Sequence, residues 1–159
     1  MSDQVERRFI PSLREGIDVV KMIFFQDLKQ KFTRKYPGQG NGYPAMLAGA
    51  VMNDLFCTPN PQERFRFFAE ENRALIADEL QKVAEESPEL RLLLTDALRM
   101  HFLCNHQEGI EDGNEEMLKK AKACGILLEE RDVPLPKGFM ALVSKVGKAK
   151  GIIAEQEMR

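Results

Sequence analysis

Apolar and polar side chains alternate along this chain with the period of helices almost from end to end. Residues 44–53, PAMLAGAVMN, carry no charge, and a helix that is apolar all round has to be surrounded by other protein. The pattern therefore predicts a buried central helix over 44–56. Its uncharged run stops at Asp54, about half of the roughly 20 residues that crossing a bilayer requires.

The flanking segments are amphipathic and well punctuated. Ser12 and Glu15 have capping-box spacing, which lets each side chain satisfy a free N–H at a helix start. They open a long helix that Pro37 and Gly38 stop after Tyr36. Leu13, Ile17, Val20, Phe24 and Leu28 form its core stripe. Asp27 and Lys31 fall on the edge and centre of that stripe and are expected to pair with each other, an i, i+4 contact worth about 0.2–0.5 kcal/mol.

Asn60, Pro61 and Glu63 signal a third helix reaching Glu86. Phe65, Phe68, Ala69, Ile76, Leu80 and Val83 point inward, and Asn72, Glu79 and Glu86 intrude at heptad steps. Ser87 and Pro88 start a fourth helix that ends near Asn105. A fifth spans 114–124, with Glu115 and Glu116 at its positive end and Lys119, Lys120 and Lys122 at its negative end. Gly125 follows as its C′ residue. Pro134 and Pro136 keep 126–136 extended before a sixth helix from about Lys137 to Ala149. Strand character is confined to 126–128. The chain is thus read as all-α: one domain over 1–159, about six helices in a bundle or orthogonal array around the 44–56 helix, frayed over 1–10 and 151–159.

Composition narrows the function classes. The 23 Lys and Arg nearly balance 25 Asp and Glu, for a net charge of −2, so no global field gathers nucleic acid or an anionic membrane. The three cysteines are odd in number and lack a repeated spacing. With no export signal at the N-terminus, they indicate reduced thiols in a cytoplasmic protein. No segment is long enough to cross a membrane, and no cofactor is expected.

Three clusters carry candidate chemistry. Glu79 lies on an apolar stripe, where a carboxylate is disfavoured unless paired; the expectation is that its long side chain bends out to water. Leu90, Leu94, Ala97, His101 and Cys104 share a face, with His106 just beyond. His101 and Cys104, assisted by Glu79 or Asp54, are the residues for a metal or thiol site. Their spacing matches no zinc template, and a histidine hydrogen-bonded inside the core is the commoner arrangement.

Gly38, Gly40 and Gly42 precede the central helix, with Lys31, Arg34 and Lys35 upstream, a setting in which exposed N–H groups and a helix dipole favour an anion. A nucleotide loop follows a strand, however, and this one follows a helix. Lys137, Lys145, Lys148 and Lys150 gather near the C-terminus and offer a nucleic-acid contact that reads phosphate without sequence.

No spacing of reactive residues reaches a catalytic template. The preferred reading is a non-enzymatic interaction or regulatory module acting as a homodimer. It rests on Met22, Phe67, Leu92 and Leu103, which lie away from the main stripes and ask for a second buried face. A two-layer bundle that buries both faces within one chain is the rival account.

Overall fold

The computed structural model describes residues 10–40, 42–56, 70–111, 113–126 and 135–151. They form α1 (Ile10–Lys35), α2 (Tyr43–Leu55), α3 (Arg73–Glu86), α4 (Pro88–Gln107), α5 (Asn114–Ala123) and α6 (Leu135–Ala149), with no strand among them. The expected third-helix start at 60–63, its Phe65, Phe68 and Ala69, and the segment 127–134 lie outside the described residues. So do Cys57, Phe67 and, of the ends expected to fray over 1–10 and 151–159, residues 1–9 and 152–159; Ile10 is already helical, and Gly151 N donates to Lys148 O at 3.1 Å.

Proline explains two starts that fall earlier than expected. Helical conformation already holds at Ile10, so Ser12 and Glu15 lie inside α1 and the capping box does not form. Pro11 sits in the first turn, where a missing N–H costs nothing. Pro136 plays the same part in α6, which begins at Leu135. The third helix is interrupted: Asn72 leaves the helical conformation with φ −115° and ψ 27° and becomes the N-cap of α3, without a side-chain capping bond. The start of α4 matches its signal, the Ser87 hydroxyl accepting from Leu90 N at 3.4 Å. After α5, Gly125 takes a left-handed φ of 75°, and Ile126 N closes the turn by donating to Ala121 O at 2.9 Å.

α2 packs on α1, α3 and α5, while α4 packs on α1, α3, α5 and α6. Leu47, Ala48, Ala50, Val51, Met52 and Leu55 of α2 are buried, as its uniformly apolar sequence requires. It shares the centre of the molecule with α4, whose Leu93, Leu94, Ala97, Leu98, Met100 and Cys104 are also buried. All five residues of the expected α1 stripe are buried, joined by Ile23 and Phe32. α6 contributes Phe139, Val143 and Val146. α6 packs tightly on α1 at Gly16, where a Cβ would lie 3.0 Å from Met140 Sδ and 3.1 Å from the Phe139 ring. No helix among the described residues is long and apolar enough to cross a membrane.

Candidate functional site

Two polar clusters sit toward opposite ends of α1. Near its start, the Arg14 guanidinium donates to Asn105 Oδ1 at 2.7 Å, to Glu108 Oε1 at 2.6 Å and to His101 Nδ1 at 3.1 Å. Arginine has no acceptor, so Nδ1 must present its lone pair and the ring is the neutral tautomer protonated at Nε2. Burial is the main reason that the His101 pKa falls to about 4, with the cations Lys21 and Arg14 adding to it. Asn105 passes the network on, its Nδ2 donating to Asn114 Oδ1 at 2.9 Å. Asn114 Nδ2 in turn donates to Ile110 O at 2.8 Å. One chain of hydrogen bonds thereby ties α1 to the end of α4 and the start of α5. The Phe56 ring meets His101 edge-on at 5.7 Å, with Lys21 Nζ 4.9 Å from its centroid.

The second cluster surrounds Glu79. Its side chain is fully buried, against the expectation that it would bend out to water, because lysines from two helices supply counter-charge where it stands. Lys35 Nζ donates to Oε2 at 3.0 Å, while Lys31 Nζ lies 3.5 Å and Lys82 Nζ 3.9 Å from Oε1. Oε1 is therefore flanked by charge but has no hydrogen-bond partner. The bond to Glu79 is the main cause of the raised Lys35 pKa. At 26% and 36% side-chain exposure, Lys31 and Lys35 keep their ammonium groups in touch with water while their stems cover the carboxylate.

Beside this cluster opens a cleft of about 400 Å³, lined by Phe24, Asp27, Leu28, Gln30, Lys31 and Arg34 of α1, Glu86 at the end of α3, and Lys150 just past α6. Phe24 is three residues from Asp27 and four from Leu28, Lys31 is four and three from the same two, and Arg34 is three beyond Lys31, so a single face of α1 forms one wall. The expected Asp27–Lys31 pair is not made. Asp27 instead holds Lys150 at 2.8 Å, and Lys31 reaches Glu86 at 3.4 Å as well as Glu79. Tertiary partners outcompete the local spacing because they bring a further helix end to the same face. Arg34 remains without a carboxylate partner among the described residues, the one cation on the cleft wall in that position.

The remaining sequence candidates are dispersed. His101 and Cys104 share a face of α4, but Glu79 pairs with lysines at the far end of α1. Arg14 and Lys31, their respective contacts, are roughly 25 Å apart along that helix at about 1.5 Å per residue. Cys104 is fully buried, and burial pushes its thiol pKa up, away from the thiolate that binds metals. Among the described residues no group of three or more His, Cys, Asp or Glu is placed to hold a metal ion. His106 is exposed, 2.7 Å from Glu111, and stacks on Phe102. Asp54 pairs with Lys120 at 2.9 Å.

The glycine turn does not gather the basic residues upstream of it. Lys31 and Lys35 turn to Glu79 and Arg34 to the cleft, while Gly38, Gly40 and Gly42 are exposed, with φ 88° at Gly40. Tyr36 and Tyr43 meet edge-on across the turn at 5.7 Å, which accounts for it as a packed chain reversal. The C-terminal lysines also separate. Lys145 pairs with Glu89 at 2.6 Å, Lys150 with Asp27, Lys148 is half-buried and Lys137 is exposed. Of the surplus apolar residues, Met22 is exposed, Leu92 is half-buried, and Leu103 packs against the core.

Arg14, Asn105 and Asn114 went unread as site residues. Asn105 did carry a signal, since it falls one turn after His101 on the core stripe of α4. Comparison with protein-family models, with curated proteins and with solved structures finds no match for this chain.

Proposed function

We propose that this protein is a helical binding module of the interaction or regulatory kind, and that the cleft between α1, the end of α3 and Lys150 takes a small organic anion. The supporting observation is Arg34, a guanidinium on the cleft wall that no carboxylate among the described residues neutralises, beside a floor to which Phe24 and Leu28 contribute apolar surface. A site of this kind combines apolar lining with a few placed polar groups, and its volume of about 400 Å³ suits a small molecule. Lys31 and Lys150 already spend their charge on carboxylates, which leaves Arg34 as the group that selects the ligand's sign.

Calorimetric titration with octanoate, octyl sulfate, octyl phosphate and octylammonium tests this reading. At least one octyl anion is expected to bind with a stoichiometry near one, with octylammonium silent and Arg34→Gln weakening binding on the order of tenfold. Arg34 is exposed, so circular dichroism of the variant should match the parent. Binding of no octyl anion, or equal binding by Arg34→Gln, overturns the proposal.

A further inference from the structure

Resting on the reading of the cleft as an organic-anion site, we propose that its ligand is a monocarboxylate with an apolar tail. The carboxylate is forked onto Arg34 and the tail lies along α1 toward Leu28 and Phe24. Charge decides between anions. The cleft wall carries Lys31, Arg34 and Lys150 against Asp27 and Glu86, an excess of one positive charge, and a monoanion neutralises it with every existing ion pair intact. A phosphate monoester, close to a dianion at neutral pH, would bring a second charge beside Asp27 and Glu86 and must first pull Lys150 or Lys31 away from them. Those lysines are committed at 2.8 Å to Asp27 and at 3.4 and 3.5 Å to Glu86 and Glu79.

Geometry fits the same ligand. A guanidinium presents two parallel donors that match the two oxygens of a carboxylate, which a lysine cannot do. Helical side chains lean toward the N-terminus of their helix, so Arg34 reaches back over the cleft toward Leu28. Leu28 and Phe24 follow at roughly 9 and 15 Å along the axis, at about 1.5 Å per residue. Both line the cleft but are only 3% exposed, so a tail would meet them at their edges and take most of its apolar contact from the alkyl stems of Lys31 and Arg34.

The test is the ranking of octanoate against octyl phosphate at fixed ionic strength, with Arg34→Lys as the informative variant. Octanoate should bind at least about threefold tighter than octyl phosphate, and Arg34→Lys, which keeps the charge but loses the fork, should weaken octanoate about fivefold. The paired variant Asp27→Asn/Glu86→Gln, which frees Lys150 and relieves the wall of its carboxylates, should reverse the ranking in favour of octyl phosphate. Octyl phosphate binding tighter than octanoate to the unaltered protein, or octanoate indifferent to Arg34→Lys, overturns the carboxylate assignment while leaving the anion site standing. Failure of every octyl anion removes both.

Discussion

The two polar clusters along α1 solve opposite problems. At the Arg14 end, a neutral imidazole and two amides fill a semi-buried seam, and each one donates or accepts with defined geometry. At the Glu79 end, a fully buried carboxylate is compensated by lysines that are themselves a quarter to two-fifths exposed. The first cluster depends on orientation and the second on charge. Orientation cannot be recovered when one member is lost, because a buried donor or acceptor left behind has no water to turn to. Half-exposed lysines can swing out and rehydrate. The seam should therefore be stiff and unforgiving, and the Glu79 cluster tolerant and free to exchange partners, which suits its position next to the proposed binding cleft.

The largest effect expected from breaking this contrast is a dependence of stability on pH that belongs to His101. Its pKa is about 4 in the folded protein, against roughly 6.5 for an unperturbed histidine in the unfolded chain. Between these values the unfolded state binds the extra proton, so the contribution of the neutral ring to stability is full above about pH 6.5, shrinks as the pH drops and is lost below about 4. The span corresponds to on the order of 3 kcal/mol. Urea unfolding of the parent and of His101→Gln from pH 7 to 4 should give curves whose separation shrinks over that window. Parallel curves would mean that the ring is not held neutral by its surroundings.

Asn105→Leu should come next, at about 2–3 kcal/mol, measured by urea unfolding at pH 7. Asn105 is 8% exposed and Asn114 3%, so the leucine leaves Asn114 Oδ1 without its donor and Arg14 without the acceptor at 2.7 Å. Asn105→Asp keeps the acceptor for Arg14 but not the donor for Asn114, and should recover only part of the loss. A change below 0.5 kcal/mol for the leucine variant, about the size of a surface substitution, would mean that water replaces the lost partners of Arg14 and Asn114.

How much of this was legible in the chain follows from the range of each interaction. Periodicity is local, and it located the α1 stripe from Leu13 to Leu28 because each member is a turn from the next; the burial of α2 followed from the lack of charge over 44–53. The clusters join residues far apart in sequence: Arg14 meets Asn105 across 91 positions, and Asp27 meets Lys150 across 123. No spacing rule reaches that far. The i, i+4 rule misdirected the reading of Asp27 and Lys31 because it weighs one helix in isolation, and a contact of a few tenths of a kilocalorie per mole yields readily to any tertiary partner. Glu79 stood out as a carboxylate on an apolar stripe, but its burial depended on Lys31 and Lys35 arriving from α1, which the pattern of α3 alone could not reveal. Arg34 read as one of several cations before a glycine turn; only the folded arrangement, which commits its neighbours to carboxylates, makes it different from them.

The smallest effect expected sharpens the contrast from the other side. Replacing Glu79 with Met removes a fully buried charge and fills its space with an unbranched apolar chain. The ammonium groups that lose their counter-ion are already partly hydrated, at 26% exposure for Lys31 and 36% for Lys35. Exchanging a buried ion for a packed apolar group of similar volume is often neutral or stabilising, so Glu79→Met should change stability by no more than about 1 kcal/mol. It should also remove the elevation of the Lys35 pKa, whose main cause is the bond to Glu79, which side-chain NMR titration can follow. A loss of several kilocalories per mole would mean that the lysines cannot leave, and that this cluster is as rigid as the seam at the other end of α1.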